Sequence, residues 1–189
     1  MEAMGVIPAR GGSRRVSRKN LQELGGKPLI CWTIEAALAS RLSRVVVSTE
    51  DPEIAAVAIR AGAEVVPQPI ESALSGDMSA PVVLSALDFM RDAHGYEPHL
   101  VCLLHPTSPF RGAGHINHAL NIYGHSPGAS VISFSRDDLN GALYLTEASR
   151  LRDYGTYFVA PIVPLTMSEA DGLDIDTWDD LERARRQVA

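Results

Sequence analysis

A run of basic residues follows the first apolar segment of the chain. Residues 10–20, Arg-Gly-Gly-Ser-Arg-Arg-Val-Ser-Arg-Lys-Asn, hold five of the seventeen basic side chains, although the net charge of the chain is −6. Gly11 and Gly12 would let backbone N–H groups approach an anion closely. Neither the GxxxxGK[ST] nor the GxGxxG phosphate-binding pattern is present. The run predicts a site for a triphosphate, and a solvated basic loop is the alternative.

Two carboxylates near the C-terminal end form the second group. Asp174 and Asp176 flank Ile175, and side chains two positions apart share a face of an extended segment. Mg²⁺ prefers one or two carboxylates together with water and substrate phosphates. The pair therefore predicts a Mg²⁺ site that complements the basic loop, but on spacing alone a solvated acidic helix start is equally compatible.

A third candidate segment is His-Pro-Thr-Ser-Pro-Phe-Arg at residues 105–111, directly after the apolar run Leu100–Leu104. Its prolines stiffen the chain. The hydroxyl groups of Thr107 and Ser108 and the guanidinium of Arg111 are suited to polar substrate groups. A rigid turn before the next helix is the alternative. The GxSxG and HExxH patterns of hydrolases and zinc enzymes are absent.

These segments require a scaffold that brings them together. Apolar runs alternate with amphipathic stretches along the chain, which predicts an α/β fold with parallel strands joined by helices. The predicted strands are Ala3–Pro8, Arg44–Thr49, Glu64–Pro67, Leu100–Leu104, Ser130–Phe134 and Ala142–Thr146. The predicted helices are one through Ile30, Ile34 and Leu38, one from Pro52 to Ala61, and those at Pro81–Ala93, Gly114–Tyr123 and Thr177–Val188. Asp51 is expected to cap the helix from Pro52, and Thr177 with Asp180 makes an approximate capping box. The three consecutive valines at 45–47 are typical of a strand buried on both faces. The basic loop and the third segment then follow the carboxyl ends of strands, where α/β sheets bind ligands.

Length and composition predict a single domain over residues 1–189. The chain has 46% apolar and 21% charged residues, typical of a globular protein with a buried core. A net charge of −6 disfavours nucleic acid and anionic membranes as partners. Without a long apolar stretch or a signal-peptide pattern, we expect a cytoplasmic protein. Cys31 and Cys102 lie in apolar runs and are expected to be buried free thiols.

Ordered segments of the chain resemble the acylneuraminate cytidylyltransferases, or CMP-sialic acid synthetases. They are IPARGGSRRVSRKN, LGGKPLICWTIEAAL, VVVSTEDPEIAAVAIRAGAEVV, LLHPTSPFR, NGALYLT and LDIDTWDDLERA. The resemblance implies a three-layer sandwich with a mainly parallel central sheet, the Rossmann-like nucleotidyltransferase fold. It also implies Mg²⁺-dependent transfer of CMP from CTP to the anomeric hydroxyl of a sialic-acid-like 2-keto sugar acid, with release of pyrophosphate.

The resemblance also implies roles for individual residues. The nucleotide-binding set is Arg10, Gly11, Gly12, Ser13, Arg14, Lys19, Asn20 and Ser79. Within it, Arg10 and Asn20 lie nearer the nucleoside, whereas Arg14 and Lys19 act on the phosphates as the catalytic pair. Asp174 and Asp176 would hold Mg²⁺. The sugar-binding set is His105, Thr107, Ser108, Arg111 and Asn140.

The chain departs from the family pattern at several positions. Arg14 replaces the usual lysine, Ser17 replaces a proline, and His105 replaces a glutamine. Only residues 136–139 remain between SVISFS and NGALYLT, where the family has a long excursion that contacts the sugar and the partner subunit. The excursion is therefore expected to be largely missing between 134 and 140, which leaves a monomer or a homodimer with an altered interface. A nucleotidyltransferase for a 3-deoxy-octulosonate-type acid and a catalytically silent nucleotide-binding homologue are the alternatives.

Overall fold

The strands and helices of the predicted α/β scaffold are present in the computed structural model of the chain, which describes residues 1–69 and 79–188. The strands are β1 Ala3–Pro8, β2 Glu23–Leu24, β3 Lys27–Pro28, β4 Arg44–Thr49, β5 Glu64–Pro67, β6 Leu100–Leu104, β7 Ser130–Ser135, β8 Asp138–Glu147 and β9 Ile162–Met167. The helices are α1 Leu29–Leu38, α2 Pro52–Arg60, α3 Ser79–His94, α4 Ala113–His125, α5 Ala148–Tyr154 and α6 Trp178–Gln187, with a short 3₁₀ helix at Lys19–Leu21.

Seven strands form the central sheet in the order β5-β4-β1-β6-β8-β7-β9. β1 pairs in parallel with both β4 and β6, so that Val6 lies between Val46 and Leu103. β8 is antiparallel to β6 and β7, and β9 is parallel to β7. β2 and β3 form a separate antiparallel ribbon. The mainly parallel sheet is as predicted, and it places the segments after β1 and β6 at the same edge.

Helices cover both faces of the sheet because both faces of its central strands are apolar. Ile7, Val47 and Cys102 face the side that is covered by α1, α2 and α4. Val6 and Val101 face the other side, which is covered by α3 and α5. The result is the predicted three-layer arrangement. Both free cysteines are buried, as expected.

The predicted helix starts have the expected caps. Asp51 Oδ1 accepts hydrogen bonds from the backbone N–H groups of Glu53 and Ile54 at 2.9 and 3.0 Å. Thr177 Oγ1 accepts from the Asp180 N–H at 3.3 Å, and Asp180 Oδ2 accepts from the Thr177 N–H at 2.8 Å. Within the described residues, no helix has the length and apolar character needed to cross a membrane.

Several elements differ from the prediction. The ribbon, α5 and β9 were not predicted, and β8 begins at Asp138 rather than at Ala142. Phe134 pairs with Leu139, and Ser135 pairs with Asp138, so that only Arg136 and Asp137 form the turn. Arg136 has a φ of 54°, in the left-handed region that tight hairpin turns require. Residues 134–140 are thus part of a β-hairpin.

Candidate active site

A cavity of about 800 Å³ opens at the edge of the sheet where β1 and β6 end. All three segments identified in the sequence contribute to its lining. The basic loop contributes Arg10, Ser13, Arg14, Arg15, Lys19 and Asn20, the loop after β6 contributes His105 and Thr107, and the acidic segment contributes Asp174 and Asp176. The two carboxylates and the basic loop therefore share one cavity, although more than 150 positions separate them in the chain.

A small apolar cluster holds the basic loop against the acidic segment. Val16 and Ile175 are fully buried in a cluster whose other buried members are Leu24, Leu29, Leu173, Leu181 and Ala184. The Ile175 N–H donates to the Thr107 carbonyl at 2.8 Å. Burial of Val16 and Ile175 removes apolar surface from water and fixes the charged side chains beside them. Ile175 thus connects all three segments.

The basic side chains of the loop differ in their partners. Lys19 Nζ donates to the Ile175 carbonyl at 2.7 Å and to Asp176 Oδ1 at 3.0 Å. Arg15 Nη2 lies 2.8 Å from Asp176 Oδ2. Arg18 turns toward α2 and pairs with Glu53 at 2.7 Å. Arg14 lines the cavity and has no ion pair within the described part of the chain. Its guanidinium is therefore available to a ligand.

The two carboxylates fit a hard divalent cation. The Thr107 hydroxyl donates a hydrogen bond to Asp174, and this bond opposes the desolvation that raises the pKa of the Asp174 carboxyl. Asp176 is close enough to Asp174 to add to this rise by repulsion. The Asp174 side chain is exposed to the cavity, although neighbouring protein atoms displace part of the water around its carboxyl group. No cluster of three or more metal-ligating side chains occurs within residues 1–69 and 79–188. Two carboxylates suit a cation that takes its remaining ligands from water and phosphate.

Two buried amides on the cavity have unpaired oxygens. Asn20 Nδ2 donates to the Arg10 carbonyl at 3.1 Å, but its Oδ1 has no hydrogen-bond partner among the described residues. The same is true of Gln68 Oε1, at the end of β5. Both residues are more than nine-tenths buried and line the cavity. Because buried acceptors are normally satisfied, these oxygens are suited to N–H groups of a ligand. No pattern in the sequence indicated Gln68.

His105 is held by the backbone of β8 at Gly141. Its Nδ1 lies 2.7 Å from the Gly141 carbonyl, so Nδ1 carries the proton and donates it. The ring packs edge-on against Tyr144 with 5.9 Å between centroids. Burial lowers the pKa of the imidazole, only partly opposed by the bond to Gly141. His105 therefore contributes a neutral ring to the cavity.

An apolar and aromatic wall makes up another part of the lining. It consists of Leu139, Tyr144, Tyr157 and Phe158. The ring of Tyr144 lies 5.6 Å from that of Tyr157 and 6.0 Å from that of Phe158. None of the four was identified as a site residue from the sequence. The adjacent pair at 157–158 was the only local signal, since aromatic residues make up just 6% of the chain.

The structure does not place every predicted site residue on the cavity. The Gly11 N–H donates to Glu50 Oε1 at 2.8 Å, and a Cβ at Gly11 would collide with the side chain of Asp51. The close approach of Asp51 thus explains this glycine, and its N–H binds the Glu50 carboxylate rather than facing the cavity. Gly12 and the fully buried Ser108 also lie outside the lining. The side chain of Ser79 falls outside the described part of the structure.

Arg111 and Asn140 lie behind the cavity wall. Arg111 is fully buried, and its guanidinium donates to the Ala142 carbonyl at 3.0 Å, to Thr33 Oγ1 at 2.9 Å and to the His105 carbonyl at 3.3 Å. Burial lowers its pKa to about 10, so it stays charged at neutral pH. Asn140 accepts from Ser133 Oγ at 2.6 Å within the β7–β8 hairpin. In this structure, both side chains support the wall and neither faces the cavity.

A mainly parallel α/β sheet with a basic loop and paired carboxylates at one edge has the layout of a nucleotide-binding α/β protein. A family profile described as "Cytidylyltransferase" matches residues 4–141. The chain therefore belongs to the cytidylyltransferase family, and the resemblance to acylneuraminate cytidylyltransferases is confirmed.

Curated relatives extend this result. The chain is 32% identical to CMP-N,N'-diacetyllegionaminic acid synthase from Legionella pneumophila, over 94% of this chain and 92% of that protein. It is 38% identical to N-acylneuraminate cytidylyltransferase from Escherichia coli over 62% of this chain, which is 27% of that protein. It is 41% identical to a pseudaminic acid cytidylyltransferase from Campylobacter jejuni, over 58% and 47% of the two chains. The match thus spans less than half of the last two relatives.

Solved structures support the fold. CMP:2-keto-3-deoxy-manno-octonic acid synthetase in complex with CTP superposes with a TM-score of 0.76 at 19% identity, over 99% of this chain and 98% of that one. A nucleotidyl transferase from Methanothermobacter gives a TM-score of 0.76 at 16% identity, over 99% and 97% of the two chains. At these identities, the likeness establishes the nucleotidyltransferase architecture.

Proposed function

We propose that this protein is a Mg²⁺-dependent cytidylyltransferase that transfers CMP from CTP to a sialic-acid-like 2-keto sugar acid. The anomeric hydroxyl of the acceptor loses its proton and forms a bond to the α-phosphorus, while the bond from that phosphorus to the pyrophosphate leaving group breaks. The relatives act, by their names, on legionaminic, N-acylneuraminic and pseudaminic acids. Acceptors of this class are therefore the first candidates.

One observation carries the proposal: the basic loop and the carboxylate pair line the same cavity and are connected through Lys19, Ile175 and Asp176. Phosphoryl transfer depends on positioning and on neutralising charge at the phosphates, and it needs no covalent intermediate on the protein. Cations on one segment and metal-binding oxygens on another supply both requirements.

The basic loop would bind the nucleotide. Arg14 has no ion pair within the described residues and can bind phosphate oxygens with its planar fork. Lys19 lies deeper in the cavity, with its side chain 13% exposed. Asn20 and Gln68 offer their unpaired amide oxygens to N–H groups such as the amine of a cytosine. Arg10 and Ser13 complete this part of the lining.

Asp174 and Asp176 would hold Mg²⁺. When bound, the ion would neutralise phosphate charge and help to orient the triphosphate. Thr107 keeps the Asp174 carboxylate in place through its hydrogen bond. The position of Asp176 is fixed by the buried neighbour Ile175.

The aromatic wall would take the acceptor. Tyr144, Tyr157 and Phe158 present ring faces and edges on which the carbon skeleton and acyl methyl groups of a sugar acid can pack. Thr107 and the imidazole of His105 add polar groups next to this wall. Recognition by packing suits a family whose members differ in the acceptor.

The test is turnover by the purified protein with CTP, Mg²⁺ and a panel of N-acetylneuraminic, legionaminic, pseudaminic and 3-deoxy-octulosonic acids. Pyrophosphate release should depend on one of the acids, and mass spectrometry should detect the corresponding CMP-sugar. CTP should be preferred over UTP, GTP and ATP. Asp176→Asn should lower turnover roughly 100-fold or more, because it removes one of two metal-binding carboxylates.

Asp179→Asn is the matched control, since Asp179 is an exposed carboxylate in the first turn of α6 and does not line the cavity. It should retain the parent's activity within about twofold. Tight CTP binding without pyrophosphate release with any acid would select the catalytically silent alternative. Product formation with 3-deoxy-octulosonic acid alone would reassign the acceptor.

A further inference from the structure

Arg15 lines the cavity, but the proposed function assigns it no role. We infer that Arg15 neutralises Asp176 while the site is empty, and that its guanidinium moves to the phosphates beyond the α-phosphate when metal and nucleotide bind. This inference rests on the proposed function for the nucleotide and for Asp176 as a metal ligand. The exchange of ion-pair partners is a property of the chain itself.

Asp176 is fully engaged by cations in this structure. Its Oδ2 lies 2.8 Å from Arg15 Nη2, and its Oδ1 lies 3.0 Å from Lys19 Nζ. A divalent cation that approaches this carboxylate meets two positive charges. At least one of them must move before Asp176 can act as a metal ligand, because like charges at such distances repel strongly.

The two cations are held very differently. Lys19 has a side chain that is 13% exposed, and it makes a second hydrogen bond, at 2.7 Å, to the Ile175 carbonyl. The side chain of Arg15 is 64% exposed, and its ion pair with Asp176 is its one polar contact within the described residues. Ion pairs this exposed are weak and exchange readily. Arg15 is therefore the cation that leaves.

The backbone of Arg15 stays in place while its side chain moves. The next residue, Val16, is fully buried in the cluster that also contains Ile175. The Cα of Arg15 is thus fixed near the carboxylates, and the length of its side chain limits how far the guanidinium can move. A guanidinium also suits the new partner, since its planar fork of donors matches two phosphate oxygens.

The other arginines of the loop differ from Arg15. Arg14 lines the cavity without an ion pair in the described part of the chain, so it binds phosphate without first releasing a carboxylate. Arg18 pairs with Glu53 and Asp51 outside the cavity. Arg15 is thus the loop arginine that links metal binding at Asp176 to nucleotide binding.

The test compares the parent with Arg15→Gln in calorimetric titrations. Mg²⁺ or Mn²⁺ without nucleotide should bind Arg15→Gln about three- to fivefold more tightly, since an exposed ion pair is worth up to about fivefold in an equilibrium constant. CTP with Mg²⁺ should bind at least about tenfold more weakly, because a charge-assisted bond to phosphate is lost. CMP should bind both proteins equally, because it lacks the phosphates that Arg15 contacts.

Two further variants serve as controls. Arg91→Gln removes an exposed arginine that pairs with Asp88 and Asp92 on α3, away from the cavity, and should change none of the affinities. In an Asp176→Asn background, Arg15→Gln should no longer tighten metal binding, because the competed carboxylate is gone.

Unchanged or weaker metal binding by Arg15→Gln would overturn the inference, as would an equal loss of affinity for CMP and CTP. Metal and nucleotide binding are measured without an acceptor. A parent protein that binds CTP but forms no CMP-sugar would therefore refute the proposed function and leave this test intact.

Discussion

Different interactions hold the charged part of the cavity, formed by the basic loop and the carboxylate pair, and its aromatic wall. In the first, the half-buried Lys19 is fixed by two hydrogen bonds, and the fully buried Val16 and Ile175 hold the adjoining backbone. In the second, Leu139 and Phe158 are 46% and 54% exposed, and the rings of Tyr144 and Phe158 pack edge to face. Charged side chains on a rigid backbone bind ligands of one geometry, whereas an exposed apolar surface can bind ligands of several shapes.

This difference suits a protein whose relatives are named for one kind of nucleotide transfer but for several acceptors. Phosphates and Mg²⁺ would be common to every cytidyl transfer, so a rigid charged site is suitable for all members. The relatives are named for different acceptor acids. A wall that recognises its ligand by packing can change with few consequences for the fold, because Phe158 and Leu139 support little of the core.

The largest effect is expected from the charged part. Lys19→Met should lower kcat/KM roughly 100- to 1000-fold, because it removes a preorganised cation from the phosphates and leaves Asp176 with only the exposed Arg15. Steady-state assays with CTP and the acceptor that the panel identifies would measure this. Arg18→Met removes the neighbouring positive charge, which faces α2, and should stay within about twofold of the parent. Equal losses in the two variants would mean that only the net charge of the loop matters.

A smaller and more selective effect is expected from the aromatic wall. Phe158→Ala should raise the KM for the sugar acid up to about tenfold, the value of one ring contact, and leave the KM for CTP unchanged. Tyr154→Ala is the control, because Tyr154 is 61% exposed, packs near Arg150 and does not line the cavity. A rise in the KM for CTP in Phe158→Ala would contradict the separation of the two parts.

Sequence reasoning succeeded where local chemistry decides the structure. The valines of β4 predicted a strand buried on both faces, and Asp51 and Thr177 predicted helix starts with the observed caps. It failed for β9, an edge strand with Pro164 inside it and alternating exposure, and for α5, which has only seven residues. Such short or interrupted elements form through tertiary pairing and leave little periodicity in the sequence.

The site shows the same division. The basic loop and the carboxylate pair were found because charge density and spacing are local properties. The aromatic wall could not be found in this way, since Leu139 and Tyr144 of β8 meet Phe158, which follows α5, only in the folded chain. Arg111 was predicted to contact the substrate because its loop follows β6. In the structure, its carbonyl and hydroxyl partners lie in the core. The Mg²⁺ site and the assembly of chains stay predictions.

The smallest expected effect concerns His105, which lies where the two parts of the cavity meet. Burial lowers the pKa of its imidazole, so below about pH 6.5 the unfolded chain takes up a proton that the folded chain resists. Folded-state stability should therefore fall as pH drops from 7 toward 5.5. His105→Gln lacks this titration, and its Tm should fall less over that range, by about 2 °C.

The comparison between parent and variant isolates His105 because His115, whose pKa burial also lowers, is present in both proteins and contributes equally to both Tm curves. If His105→Gln and the parent lose the same Tm between pH 7 and 5.5, the ring is solvated in the folded protein. The hydrogen bond from Nδ1 to the Gly141 carbonyl would then not keep the imidazole neutral beside the aromatic wall. His105 would instead be part of the charged part of the cavity.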